Sequence, residues 1–130
     1  MKATATREST YRHVVKVRSH ELAADEPVDE GGEDTAPSPQ ELLAASLASC
    51  TAITMEMYAY RKGWDVGDIV VDVDYEPAQR GSPTRFTMDF QLSKELPEDQ
   101  RQKLMQIAAK CPVHRALEGE VMFDENVALK

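Results

Sequence analysis

Basic side chains are scarce in this chain, and the shortage excludes two classes of partner. The 130 residues include 15 lysines and arginines against 23 acidic residues, which gives a net charge of -8. A surface with this charge repels nucleic acids and anionic membranes, and the bases form no patch of the kind that nucleic-acid binding requires. We therefore expect a protein that binds neither nucleic acid nor a membrane.

Long apolar runs are also missing. The longest uncharged apolar stretch, Leu42 to Met55, is shorter than the roughly 20 residues that span a bilayer and suits a buried core helix. The N-terminal segment MKATATREST has no apolar run typical of a signal peptide. These features predict one cytoplasmic domain over residues 1–130, in which any disulfide would be transient rather than structural.

Motifs for metal, nucleotide or serine chemistry are absent as well. There is no G-x-S-x-G, no P-loop and no H-E-x-x-H. Cys111 and His114 form one loose pair and Cys50 is the only further thiol, whereas structural zinc normally uses two close ligand pairs. The acidic segment 25–34 lacks the spacing of an EF-hand loop and is predicted to be a solvated connector. We expect no metal and no cofactor.

The hydrophobic patterns along the chain predict both strands and helices. Period-two patterns predict short strands at 2–6, 11–18 and 21–24, two longer strands at 69–75 and 86–92 joined by a hairpin loop, and a last strand at 120–123. Each long strand has one apolar face, which fits an antiparallel sheet packed on helices. The pattern predicts an α+β fold.

The central helix has a well-marked start and end. Ser38 is a suitable N-cap, Pro39 fits the first helical position, and Glu41 completes an S-x-x-E capping box. The helix should end at Lys62, before a glycine. Such a helix is about 36 Å long, whereas a globule of this chain length is only about 30 Å across. Since one small domain would not enclose a helix that is apolar on every side, the length favours a homodimer.

A second helix is predicted from Pro97 to about Cys111. Its core-facing stripe follows the i, i+3, i+4, i+7 spacing of Leu104, Ile107, Ala108 and Cys111. Pro112 disfavours helical geometry at the residue before it, so the helix should end there. A short turn at 113–117 is expected to follow.

The two cysteines have two interpretations from the residues alone. Free cysteine is usually a small buried hydrophobe, which favours simple packing. Cys50 and Cys111 also both face the core, so they fit a pair that cycles between dithiol and disulfide. Cys50 lies about three turns into its helix, too far for the helix dipole to activate it. A cation must then come from elsewhere, and Arg12 and Arg18 are the leading choices unless they are solvated strand charges.

Two segments resemble a known family. Residues 38–50, SPQELLAASLASC, resemble the OsmC/Ohr signature in which a Pro-Glu helix start leads to a reactive cysteine, and residues 111–117, CPVHRAL, resemble the second cysteine motif. The resemblance implies an OsmC-like fold, with antiparallel sheets packed around a long central helix. It also implies an intertwined homodimer with active sites at the interface.

The resemblance further implies a thiol-dependent peroxidase that reduces organic hydroperoxides without a cofactor. Cys50 would be the peroxidatic thiolate and become sulfenic acid, and Cys111 would resolve it to a disulfide. A dithiol reductant of lipoyl type would then restore both thiols.

The family's arginine and glutamate are matched less directly. Arg12 is the best match for the arginine that stabilises the thiolate, with Arg7 and Arg18 as alternatives. Gln40 occupies the glutamate position, and Glu41 lies one residue later, rotated by about 100° around the helix. Gln40 or Glu41 would then orient the arginine. The glutamine also motivates a second hypothesis, in which the fold serves as a binding module for a small apolar ligand or thiol compound.

Overall fold

The structure is a computed structural model that describes residues 1–129 and divides into two compact units. The first unit comprises residues 1–46 and 73–87, and the second comprises residues 47–72 together with the segment from Met88 onward. The elements in chain order are β1 (Thr4–Ser9), β2 (Arg12–Val17), β3 (His20–Ala24), a 3-10 turn (Val28–Glu30), α1 (Pro39–Lys62), β4 (Ile69–Glu76), β5 (Arg85–Leu92), α2 (Glu98–Ala108) and α3 (Pro112–Glu118).

An antiparallel sheet in the order β1-β2-β3 lies in the first unit. Val15 is opposite Ala5 on one side and opposite Leu22 on the other, so the central strand carries apolar residues across the sheet. The register between β1 and β2 shifts between Arg7 and Ser9. The three predicted N-terminal strands are confirmed, with bounds that differ by up to three residues.

The predicted capping box at the start of α1 is confirmed. The Ser38 backbone N–H donates to Glu41 Oε1 at 2.9 Å, and the Glu41 N–H donates back to Ser38 Oγ at 3.2 Å. The hydrogen bonds from the Ser38 backbone and side chain hold the pKa of Glu41 below its ordinary value. At the other end, Gly63 adopts a positive φ of 70° and its N–H caps the Tyr60 carbonyl, so α1 ends where the sequence predicts.

The core of the second unit is built on one stripe of α1. The buried residues of α1 recur every fourth position, at Leu47, Thr51, Met55 and Ala59. Met55 and Ala59 pack with buried residues of the β4 region and α2, namely Val66, Ile69, Leu104 and Ala108. Periodicity in α2 therefore identified its core-facing residues correctly.

The opposite side of α1 exposes large apolar side chains. Ile53 is 53% exposed, Met57 56% and Tyr60 88%. By length and composition α1 is also apolar enough to cross a membrane, a criterion that core helices of soluble proteins meet equally. An apolar helix with one buried stripe explains both observations.

The hairpin β4-β5 alternates as predicted. Every second residue from Ile69 to Tyr75 is at least half-buried, while the intervening residues, including Asp72 and Asp74, are exposed. The same alternation holds along β5. In the first unit the rings of Tyr75 and Phe86 stack with centroids 4.9 Å apart. The apolar face of each strand is thus the one that the sequence indicates.

Two predictions for the C-terminal region are wrong. Residues 113–117 belong to the helix α3 rather than to a turn, because Pro112 takes the first helical position, where its missing N–H costs nothing. Residues 120–123 form no strand; Val121, Met122 and Phe123 are 61%, 86% and 79% exposed, so no packing supports one. Pro112, which predicts the end of the preceding helix, is therefore also the first residue of α3.

Candidate functional site

The fold of the second unit brings the two cysteines together. Cys50 lies on α1 and is partly exposed, whereas Cys111 lies between α2 and α3 and is 0% exposed. Both are free thiols, and the Cys50 side chain lies close enough to the Cys111 sulfur to help lower the pKa of the Cys111 thiol. The two predicted cysteines are thus neighbours, one reachable from solvent and one fully enclosed.

Cys111 caps α3 with its sulfur. Its backbone is extended, at φ -64° and ψ 145°, so Sγ turns toward the start of the helix. Sγ accepts hydrogen bonds from the His114 backbone N–H at 3.2 Å and from the Thr51 hydroxyl at 3.5 Å. The His114 ring pairs through Nδ1 with Glu118 Oε1 at 2.8 Å. The buried sulfur is therefore surrounded by donors.

These donors decide the ionisation of Cys111. Burial raises the pKa of the Cys111 thiol, because a charged sulfur loses its hydration. Hydrogen bonds from Thr51, the His114 N–H, Cys50 and the Val113 N–H act in the opposite direction and leave the pKa below its ordinary value. The site can stabilise a thiolate on the enclosed sulfur.

Arg12 lies in the first unit, at the start of β2. Its Nη1 donates to the Thr35 carbonyl at 3.2 Å and to the Thr35 hydroxyl at 3.0 Å, and its Nε lies 3.4 Å from Glu8 Oε1. Arg7 and Arg18 are exposed, on β1 and in the turn after β2 respectively. Of the three candidate arginines, Arg12 is the partly buried one with a defined set of partners.

The two candidate orienting residues have different environments. The Glu41 carboxylate accepts the Ser38 N–H in the capping box, and Gln40 is exposed on the first turn of α1. The hydrogen bonds of the Arg12 guanidinium go instead to Glu8 and Thr35. Within the first unit of one chain, Arg12 and Glu41 therefore have separate hydrogen-bond partners.

Sequence reasoning missed an anchor in the acidic segment. Asp25 is only 1% exposed, whereas the sequence predicts a solvated connector over 25–34. Its Oδ2 accepts the Thr35 hydroxyl at 2.5 Å and the Thr35 N–H at 3.0 Å, and Oδ1 accepts the Glu26 N–H at 2.8 Å. The bonds from Thr35 lower the pKa of Asp25 from 3.8 to about 2. The prediction fails at this residue because one carboxylate organises the loop.

The first unit also contains an apolar cavity of about 550 Å³. Its lining combines apolar residues such as Tyr11, Val15 and Leu42 with the acidic Asp25 and Glu26. Within residues 1–129, no group of three or more histidine, cysteine or acidic side chains is placed to hold a metal ion. The volume suits a small apolar molecule.

Comparison with known proteins identifies the family. Residues 31–126 match the family model described as OsmC-like protein. The chain belongs to the OsmC-like protein family. The matched region contains Cys50 and Cys111 as well as Gln40 and Glu41, whereas Arg12 precedes it. A protein of Haloferax volcanii is 27% identical over 97 residues, which cover 73% of this chain and 74% of that protein.

Solved structures of OsmC-like proteins share the fold. A Psychrobacter arcticus protein named for osmotic stress induction and a detoxification response is 26% identical, with a TM-score of 0.76 over 89% of this chain and 87% of its own. The organic hydroperoxide resistance protein OsmC of Legionella pneumophila is 19% identical, with a TM-score of 0.66 over 92% of this chain and 90% of its own. The α+β, OsmC-like fold expected from the two cysteine segments is confirmed.

Proposed function

We propose that this OsmC-like protein is a thiol-dependent peroxidase that reduces organic hydroperoxides through Cys50 and Cys111. The observation that carries the proposal is the pair of neighbouring free thiols, of which Cys50 is partly exposed and Cys111 is fully buried. A reachable sulfur suits attack on a peroxide, and an enclosed one suits resolution. The name of the Legionella pneumophila neighbour, an organic hydroperoxide resistance protein, supports the substrate class.

The chemistry requires two steps on the protein. The Cys50 thiolate attacks the terminal peroxide oxygen, the O–O bond breaks, and Cys50 becomes sulfenic acid. The alkoxide leaves and takes up a proton from solvent to become the alcohol. The Cys111 thiolate then attacks the Cys50 sulfur; an S–S bond forms, the S–O bond breaks, and hydroxide leaves as water. A dithiol of lipoyl type reduces the disulfide by exchange. The cycle needs no metal or cofactor.

In this proposal Arg12 stabilises the Cys50 thiolate, and Gln40 or Glu41 orients the arginine. The partly buried position of Arg12 and its defined partners favour it over Arg7 and Arg18. The protein acts as a cytoplasmic, single-domain homodimer. The exposed apolar side of α1 supports a second copy as its cover.

A thiol count under limiting peroxide tests the cycle. Reduced protein treated with one equivalent of cumene hydroperoxide should lose both thiols and yield a Cys50–Cys111 disulfide by mass mapping. Cys111→Ser should stop at Cys50 sulfenic acid, trapped with dimedone, and Cys50→Ser should not turn over. Full activity in Cys50→Ser, or slow thiol loss in the unaltered protein, would contradict the proposal.

The cavity in the first unit and the exposed Gln40 favour a second candidate, the binding module. In that case a small apolar ligand or thiol compound should raise the melting temperature in a concentration-dependent way, without any consumption of peroxide. If the cysteines serve only for packing, Cys50→Ala should lower stability and change no chemistry.

A further inference from the structure

Thr51 is a polar residue in an otherwise apolar stripe. It is 0% exposed and lies on α1 between the buried Leu47 and Met55. A hydroxyl in such a place is costly unless it has a hydrogen-bond partner. Its hydroxyl donates to Cys111 Sγ at 3.5 Å. Thr51 follows Cys50 in sequence, but its hydroxyl binds the other cysteine, Cys111.

We propose that Thr51 is a positioning residue that, with the His114 backbone N–H, holds the Cys111 sulfur as the thiolate that attacks oxidised Cys50. The inference rests on the two-cysteine cycle proposed above and assigns its second step to a specific donor. Two donors from different elements, α1 and α3, converge on one enclosed sulfur at 3.5 and 3.2 Å.

The second step explains why donors are needed. Resolution forms the S–S bond with an electron pair of Cys111, while the S–O pair leaves with hydroxide, which takes up a proton as water. A neutral, fully buried thiol would first have to lose its proton in an apolar site. Donors that stabilise the anion remove that requirement, and the lowered pKa of Cys111 agrees with this arrangement.

The groups around the Cys111 sulfur indicate how a thiolate there is stabilised. Among the groups that shift the pKa of Cys111, the titratable side chain is the Cys50 thiol on α1. His114 on α3 acts through its backbone N–H, and its ring is paired with Glu118. No lysine or arginine is among the groups that lower the pKa of Cys111. Because hydrogen bonds rather than a cation stabilise the charge, removal of one donor should be measurable.

A titration without peroxide tests the inference. In a Cys50→Ser background, Cys111 is the only thiol, and its thiolate absorbs near 240 nm as the pH is raised. The same titration in Cys50→Ser/Cys111→Ser supplies the tyrosine and peptide background. Thr51→Val should decrease the acid dissociation constant of Cys111 about tenfold, which is one pKa unit. Thr51→Ser, which retains the hydroxyl, should titrate close to the parent.

A second pair of variants with smaller side chains keeps the test decisive if Thr51→Val does not fold. Thr51→Ala and Thr51→Ser leave nearly the same volume and differ only in the hydroxyl, so they decide the question if Thr51→Val does not fold. Equal titration of the two variants, or of Thr51→Val and the parent, would overturn the inference. Because no peroxide is involved, failure of the peroxidase cycle would appear separately, as unaltered thiols in the hydroperoxide assay.

A kinetic readout separates positioning from mere packing. With both cysteines present, Thr51→Val should form Cys50 sulfenic acid at the parent rate and close the disulfide about tenfold more slowly at neutral pH. The rate should recover as the pH rises and Cys111 ionises. A closing rate that is independent of pH in the variant would contradict the role of the hydroxyl.

Discussion

The Thr35 hydroxyl donates a 2.5 Å hydrogen bond to the buried carboxylate of Asp25. A hydroxyl has a single proton, so this bond leaves the Thr35 oxygen free only as an acceptor, and it accepts from Arg12 Nη1 at 3.0 Å. The ionised Asp25 therefore sets the direction of both hydrogen bonds: Arg12 donates to Thr35, and Thr35 donates to Asp25. A loop residue far from Arg12 in sequence fixes the orientation of the arginine in the first unit.

The first prediction concerns the pH dependence of stability. The pKa of Asp25 is lowered from 3.8 to about 2 by its bonds from Thr35. The charged form thus adds stability that is fully present above pH about 4 and is lost as the pH falls toward 2. Asp25→Asn should remove this part of the acid dependence when urea midpoints are measured from pH 7 to pH 2.5. The exposed Asp29→Asn is the control, and identical pH profiles for both variants would contradict the account.

The second prediction concerns the start of α1. Ser38→Ala removes the oxygen that accepts the Glu41 N–H and should lower the free energy of unfolding by about 1 kcal/mol. Urea denaturation followed by circular dichroism measures the loss. Ser19→Ala, in an exposed turn, should change stability by less than about 0.5 kcal/mol. Equal effects of the two substitutions would argue against a capping contribution.

The third prediction compares two arginines in the proposed reaction. Lysine keeps the charge of Arg12 but not the planar guanidinium, which places Nη1 on both oxygens of Thr35 while Nε faces Glu8. Arg12→Lys should therefore slow oxidation of Cys50 by cumene hydroperoxide at least about tenfold, whereas Arg18→Lys should not. Stopped-flow measurement of the first oxidation step distinguishes them. A larger loss in Arg18→Lys would reassign the thiolate-stabilising arginine.

Local signals predicted the elements well, because each is encoded within a few residues. The Ser38–Glu41 box and the alternation along β4 are periodic or positional patterns that secondary structure follows directly. Each cysteine lies in a short segment that resembles a family motif, so the local sequence was enough to single out both. The fold then brings the two sulfurs close together.

The remaining features depend on tertiary contacts that local patterns do not contain. Asp25 looks like any other acid of a charged segment, and only the folded loop shows its burial against Thr35. Thr51 looks like one of many small residues near Cys50, and its bond to Cys111 spans most of the second unit's sequence. Positions of this kind become visible when buried polar atoms are followed to their partners.

The last prediction concerns the uncovered side of α1. Ile53, Met57 and Tyr60 lie roughly opposite the buried stripe, and they are 53%, 56% and 88% exposed. Three neighbouring large apolar side chains on one helix face are typical of an interface. The unaltered protein should therefore sediment at twice the mass of one chain.

Met57→Lys places a charge in the middle of that face and should shift the protein toward monomer in sedimentation velocity at micromolar concentration. Met105→Lys is the matched control, because Met105 is 41% exposed on α2. It should leave the association unchanged. A monomeric unaltered protein, or a Met57→Lys variant that dimerises as tightly as the parent, would show that α1 does not form the dimer interface. Turnover of cumene hydroperoxide by Met57→Lys and Met105→Lys provides a second readout. If each site is completed by the second copy, turnover should fall with the dimer fraction in Met57→Lys and stay at the parent level in Met105→Lys.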